Sequence, residues 1–303
     1  MDIEKLEDAA RIARTIKGTI KSLVKPGMKI VDVCEAVEKK IIELGALPAF
    51  PCNVSINEVA AHYSSPPMDP STIPENSLVK VDFGVHVDGW IVDTAITLCF
   101  DSKYDDFVES AELALKRAIE AVKPGVLPGE VGRIIEKTIK SYGLKPIRNL
   151  CGHKIERYQL HAGKNIPNVP SSEGDLIREG EVYAIEPFST NGAGFVVGGA
   201  VGFIYKFLGK GLKKLKRREN PLALRIAQVV EEKYSRLPFS SRWIYEDLKE
   251  YVDSLSGFNR ALVLLERKGV LYRYPVLIEA RGGMVAQAES TIVVEHDGAR
   301  VLV

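Results

Sequence analysis

The sequence predicts an α+β chain of two facing halves, with a small, mainly helical unit inserted into the second half. Three observations predict it: an internal echo at a fixed offset, strand-like runs after each copy of the echo, and a stretch from 193 to 272 that follows neither copy. Val24-Lys25-Pro26-Gly27 returns as Val122-Lys123-Pro124-Gly125, and 122 − 24 gives the offset of 98. At that offset Val33 meets Val131, Val37 meets Ile135, Ile41 meets Ile139 and Gly45 meets Gly143. A repeated unit of this kind implies two copies of one supersecondary motif related by a pseudo-twofold axis.

Each copy opens with a helix whose apolar residues recur every three or four positions: Leu6, Ala9, Ile12, Ile16, Ile20 and Leu23 in the first, Ala111, Leu115, Ile119 and Val122 in the second. Pro-Gly ends each of these helices, and a second amphipathic helix follows and ends at Gly45 or Gly143. The runs 79–85 and 90–100 then read as strands of a hairpin about His86-Val87-Asp88-Gly89, with His86 a solvated turn residue. In the second half, 181–188 and 284–294 read as continuous strands. Between them, 193–272 holds helical patterns at 223–234, 243–255 and 259–268, behind a basic run from Lys206 to Arg218.

Composition narrows the functional classes. The 303 residues are 46% hydrophobic and 27% charged, which excludes a disordered or collagen-like chain. With 41 Lys and Arg against 40 Asp and Glu, no global field draws the protein to nucleic acid or an anionic membrane. The least polar stretch, 193–205, is Gly-rich and shorter than the ~20 apolar residues of a spanning helix. The N-terminus runs straight into a helical pattern without a secretory signal, and four cysteines without a CxxC pair point away from a disulfide scaffold or structural zinc. A reducing, cytoplasmic setting is expected.

Four carboxylates stand where strand sequence should be apolar: Val-Lys-Val-Asp82, Trp-Ile-Val-Asp93, Tyr-Ala-Ile-Glu186 and Ala-Gln-Ala-Glu289. Aspartate is a poor strand former and costly to bury alone. With Asp88-Gly89 as a two-residue turn, Gly84 falls opposite Asp93, and Asp82 and Asp93 share one face. Four carboxylates on one side of a core would repel and resist ionisation unless cations neutralise them, and two divalent ions carry the matching four charges. Among five histidines, His62, His153 and His161 lie outside the turns; each alone reads as a core or loop residue, while together they suit ligation and acid–base work beside an oxygen-rich metal pair.

In order, Ala-Ala-His62-Tyr, Val-Asp82-Phe-Gly, Val-Asp93-Thr-Ala, Gly-His153, His161-Ala-Gly, Ala-Ile-Glu186-Pro-Phe and Ala-Gln-Ala-Glu289 resemble the methionine aminopeptidases of the pita-bread (creatinase-like) fold. The insertion between Glu186 and Glu289 resembles that of the type 2 branch. This implies a pita-bread catalytic domain over 1–192 and 273–303 and an inserted helical, winged-helix-like subdomain over 193–272. It implies that Asp82, Asp93, His153, Glu186 and Glu289 hold two divalent ions, of Co, Mn, Fe or Zn, with Glu289 bridging both. It further implies that Glu186, His62 and His161 are catalytic, that His62 and His161 also bind the peptide, and that Phe50, Ile56, Leu160 and Ile204 form the pocket for the methionine side chain. The implied reaction removes the N-terminal methionine of nascent chains when the second residue is small: a metal-bridged hydroxide attacks the first peptide bond while the free amino group binds a metal. One departure stands out, since the family carries a bulky aromatic before the last glutamate and His after it, whereas this chain has Ala288 and Ser290.

A prolidase or Xaa-Pro aminopeptidase is one alternative, opposed by the absence of an extra N-terminal domain and by the insertion. A binding module that has lost catalysis is the other, opposed by the complete ligand set. A monomer is expected, with no membrane partner, no sequence-specific nucleic acid, and the run Lys206–Arg218 as the surface for a transient ribosome contact or simply a solvated face.

Overall fold

The computed structural model describes residues 1–215 and 220–303, so the end of the basic run, 216–218, lies outside the described residues. Helix α1 (Ile3–Leu23) begins where the Asp2 carboxylate accepts from the Lys5 amide, and it buries Leu6, Ala9, Ile12, Ile16 and Ile20. Helix α2 (Ile30–Glu43) follows the Pro-Gly turn, and α3 (Asp105–Ala121) and α4 (Pro128–Ser141) repeat the pair. Both ends of α4 lie 98 residues beyond those of α2 (128 − 30 and 141 − 43). Gly27 and Gly125 adopt φ of +82° and +88°, a backbone region that side chains disfavour. Their amides donate to the Ile73 and Ile177 carbonyls at 2.8 and 2.9 Å, so the two halves share the same turn and the same tie.

In the first half the strands Leu47–Ile56, Leu78–Val87 and Trp90–Cys99 form an antiparallel sheet under α1 and α2. The hairpin turns at Asp88-Gly89, with φ of +51° and +83°, the signature of a type I′ turn whose twist suits the flanking strands. Gly84 faces Asp93 and Val85 faces Val92, the register that the turn predicts. His86 departs from expectation: it is a buried strand residue opposite Ile91, because the turn takes only two residues and the strand runs on to Val87. His296 is exposed.

The second half carries a five-stranded sheet in the spatial order 299–301, 290–294, 182–185, 151–155, 165–167, packed on α3 and α4 around a second core that includes Tyr183, Ile185 and Ile292. The run expected as one strand over 181–188 breaks into Val182–Ile185 and Phe188–Thr190 at Glu186-Pro187, since proline cannot donate to a ladder. The run 284–294 likewise breaks into Val285–Gln287 and Ser290–Val294 at Ala288-Glu289. A bridge between Ala95 and Glu289 joins the two sheets.

Residues Tyr205 to Leu271 build a third core of their own, from α5 (Pro221–Lys233), α6 (Ser241–Asp247) and α7 (Leu255–Arg267). Asn220 and Ser254 side chains cap α5 and α7. This segment is not simply helical as the periodicity suggests: Ile204–Phe207 sits between Phe239–Ser240 and Leu271–Tyr274 in a three-stranded sheet. Those strands are two to four residues long and sequence-distant, too short for alternation to register. Among the described residues no helix is long and apolar enough to cross a membrane.

Candidate metal centre and its cavity

Where the two sheets meet, five side chains from four chain segments converge on one cavity of about 210 Å³. Asp82 and Asp93 come from the hairpin, His153 from the strand Cys151–Ile155, and Glu186 and Glu289 from the two strand breaks. The breaks therefore have a use: an unbroken strand would alternate its side chains, and the interruption lets each glutamate leave the ladder and face the cavity. Asp93, His153 and Glu289 each offer a ligand atom within 4.8 Å of the others'. His153 Nε2 lies 3.4 Å from an Asp93 carboxylate oxygen.

Cross-bonds hold these residues in place. The Thr291 hydroxyl accepts from the Asp93 amide and donates to the Asp93 carbonyl, both at 2.7 Å. The Glu289 carbonyl accepts from Thr94 Oγ1 at 2.9 Å and from Lys17 Nζ at 3.0 Å, and Asn168 donates to the Glu186 carbonyl at 3.2 Å. Gly152 permits the close approach of its neighbour strand, since a Cβ there would lie 2.4 Å from the Ala184 carbonyl oxygen.

The electrostatics are those of a site built for cations. Burial pushes the Asp93 carboxyl up to about 8. Burial and then the Asp93 charge push Asp82, Glu186 and Glu289 well above the ordinary carboxylate range. Oδ1 of Asp82 and Oδ1 of Asp93 are buried without a hydrogen-bond partner. Unpaired buried carboxylate oxygens are costly, and a divalent ion is the group that satisfies them, so the donor set of four carboxylates and one imidazole fits a hard or borderline metal. Burial pushes His153 and His62 down to about 4, which keeps both imidazoles neutral and able to ligate or accept at neutral pH.

His62 is held in a left-handed conformation, φ +66°, with Nδ1 donating to the Pro275 carbonyl at 3.3 Å and its ring edge-on to Tyr274. In the neutral ring this leaves Nε2 as an acceptor. The His161 ring lies 4.3 Å from that of His153, centroid to centroid and tilted by 51°, and burial, His153 and Lys206 hold it below the usual imidazole value. Phe50, Leu160 and Ile204 line the cavity, and Pro238 besides. Ile56 does not reach the cavity; it sits half-buried at the far end of its strand, against the first core. Nor does Ala288 line it: that residue faces a separate cavity of about 440 Å³ with Lys17 and Leu115, while Ser290 donates to the Val303 carbonyl. The two departures from the family pattern thus fall outside the cavity.

Sequence reasoning missed Gln287, whose Nε2 donates to Glu289 at 3.2 Å, as well as Asn53, Tyr274 and Pro238. Gln287 carried a signal, a polar residue two positions before Glu289 in an otherwise apolar run. The others are brought in by tertiary packing alone.

The model of metallopeptidase family M24 matches residues 4–221. The methionine aminopeptidase of Thermococcus onnurineus is 45% identical over 303 residues, covering 98% of each chain. Among solved structures, the methionine aminopeptidase of Thermotoga maritima superposes with a TM-score of 0.71 at 23% identity, over 99% of this chain and 96% of that one. A protein described as a thermophilic Arx1 superposes at 0.79 and 19% identity, over 99% and 89%. At those identities the two structures speak for the fold.

Proposed function

The chain belongs to metallopeptidase family M24, and on that premise we propose that it removes the N-terminal methionine from nascent polypeptides whose second residue is small. The observation that carries this reading is the convergence of four carboxylates and an imidazole on a cavity with an apolar end. At about 210 Å³ the cavity is below the ~300–1,000 Å³ of drug-sized pockets and suits one side chain. Asp82, Asp93, His153, Glu186 and Glu289 would hold two divalent ions, of Co, Mn, Fe or Zn. When bound, such a pair supplies a Lewis acid for the scissile carbonyl and lowers the pKa of the attacking water.

The chain's own residues do the rest. Glu186, itself one of the five ligands and half-buried, takes the proton of the attacking water and passes it to the leaving nitrogen. His161 donates to the oxygen on which negative charge develops, and His62 contacts the peptide at the leaving nitrogen. Phe50, Leu160 and Ile204 enclose the methionine side chain, with Pro238 closing the end. With room for one side chain beside the carboxylates, the cavity takes the first residue, and cleavage is limited to one residue.

The separate third core supports division into a catalytic domain, 1–192 with 273–303, and an inserted subdomain, 193–272, although Val196–Gly198 pairs with Leu277–Glu279 across that boundary. The protein acts as a monomer in this reading, and a nascent-chain substrate sets it in the cytoplasm. Lys210 and Lys213 of the basic run make the transient ribosome contact; equal co-sedimentation of the Lys210→Glu/Lys213→Glu protein with ribosomes would reject that contact. The ligand assignment is tested with Asp93→Asn and Glu289→Gln: each abolishes peptidase activity and lowers metal stoichiometry in titration calorimetry. Folded variants that bind two ions and turn over normally would overturn it.

A further inference from the structure

In the inserted sheet Ile204 pairs with Tyr274, and Lys206 pairs with Tyr272. Side chains alternate across a strand, and Tyr205, Phe207 and Leu271 take the face that packs into the third core. The four paired residues therefore share the opposite face. Ile204 and Tyr274 line the cavity. Lys206 and Tyr272 stand two residues further along, about 6.6 Å at ~3.3 Å per residue, and both are exposed. Three rings run outward in edge contact: His62 to Tyr274 at 5.7 Å between centroids, then Tyr274 to Tyr272 at 5.0 Å. Arg273, on the other face, is tied to Glu266 at 3.2 Å, whereas no described residue forms an ion pair with Lys206.

We propose that this face is the path by which the substrate chain leaves the cavity, and that Lys206 reads the third substrate residue and favours an acidic side chain there. The proposal rests on the reading that the cavity takes the N-terminal methionine. An extended peptide advances about 3.3 Å per residue, so a chain whose first residue lies beside Ile204 and Tyr274 brings its third beside Lys206. In an extended chain the first and third side chains also point the same way. Tyr272 offers its ring to the peptide backbone without regard to charge.

The experiment compares kcat/KM for Met-Gly-Glu-Ala-Ser, Met-Gly-Lys-Ala-Ser and the neutral Met-Gly-Ala-Ala-Ser, using metal-loaded full-length protein and its Lys206→Glu, Lys206→Gln and Tyr272→Ala variants. An exposed charge pair corresponds to about a two- to fivefold preference for the glutamate peptide. Lys206→Glu reverses that preference, Lys206→Gln erases it, and added salt weakens it in the wild type. Tyr272→Ala raises KM for all three peptides alike and leaves kcat unchanged. If the wild type cleaves the neutral peptide but Lys206→Glu leaves the order of the charged peptides unaltered, the exit path is overturned alone. If the wild type cleaves none of the three, the reading beneath it fails, and the exit path with it.

Discussion

Removing Arg242 and its partner together should cost about as much stability as removing Arg242 alone, and well short of the sum of the two single losses. The Glu38 carboxylate from α2 accepts from the Cys52 amide at 3.1 Å, from Trp243 Nε1 at 2.9 Å, and from Arg242 Nη2 at 3.0 Å on each oxygen. Both charged side chains are 7% exposed, and Arg242 Nε also donates to the Ser65 carbonyl at 3.3 Å. The pair pins α6 of the inserted segment to α2 and to the strand that carries Phe50. Breaking a buried pair from one side leaves an uncompensated charge and costs about 3–5 kcal/mol, the loss expected for Arg242→Met; in Glu38→Leu the exposed Glu35 carboxylate, 3.6 Å from Arg242 Nη1, remains as a partner and brings the loss to the lower end of that range. In the double variant no charge remains. What it loses is an acceptor for the Cys52 and Trp243 donors, at about 1–3 kcal/mol each. The double variant should therefore lie about 2–6 kcal/mol below the wild type, close to either single variant and well short of their sum. Urea unfolding of the four metal-loaded proteins closes the cycle. Losses that add to within about 0.5 kcal/mol, or a single-variant loss below about 1 kcal/mol, would refute the description of this contact as a buried, mutually dependent pair.

The remaining predictions concern the cavity itself. A Cβ on Gly84 would lie 2.4 Å from Phe50 Cε1 and 2.9 Å from Ala49 Cβ, so Gly84→Ala should displace the ring into the methionine pocket. It should raise KM, leave metal binding unchanged and cost about 1–3 kcal/mol, and an unchanged KM would count against Phe50 as a pocket wall. For metal-free protein the sign of the pH dependence follows from the carboxylates: Asp93 at about 8, against 3.8 when unfolded, binds more protons folded than unfolded, so its contribution is full below about pH 4 and is lost as pH rises through 8. The imidazoles of His62 and His153, at about 4, favour folding with rising pH only up to their ordinary range, and Lys80, at about 7, opposes the carboxylates by one proton above that. Between pH 6.5 and 8 the raised carboxyls outnumber Lys80, and the urea midpoint of chelator-treated protein should fall; a rise would contradict the shared burial of the four acids. Metal binding should release protons over the same range, visible as calorimetric heats that depend on the buffer, and equal heats in buffers of different ionisation enthalpy would argue against it.

Much of this architecture is legible in the chain because local rules act there alone. Asp88-Gly89 sets the hairpin register, and that register places Asp82 and Asp93 on one face before any tertiary contact is known. The echo of Pro-Gly turns likewise predicts the matching helix pairs, since Gly27 and Gly125 need the same backbone conformation. Burial of His86 is not legible, because it depends on the strand running one step further and on the Tyr158 ring packing against the imidazole at 5.8 Å. The kinks at Glu186 and Glu289 look like strand in an apolar window, and only the junction of two sheets makes them turn inward. Ile56 and Ile204 both stand in strand-like sequence, yet only Ile204 reaches the cavity, as an inserted strand 148 residues further on (204 − 56) folds back over it.

The most direct test is hydrolysis of Met-Gly-Met by chelator-stripped protein before and after addition of Co(II), Mn(II), Fe(II) or Zn(II), with Leu-Gly-Met alongside. The account predicts no cleavage without metal, release of free methionine with at least one of the four, and little leucine from the control. Metal-independent release, or no release with any metal from protein that circular dichroism shows to be folded, would contradict it.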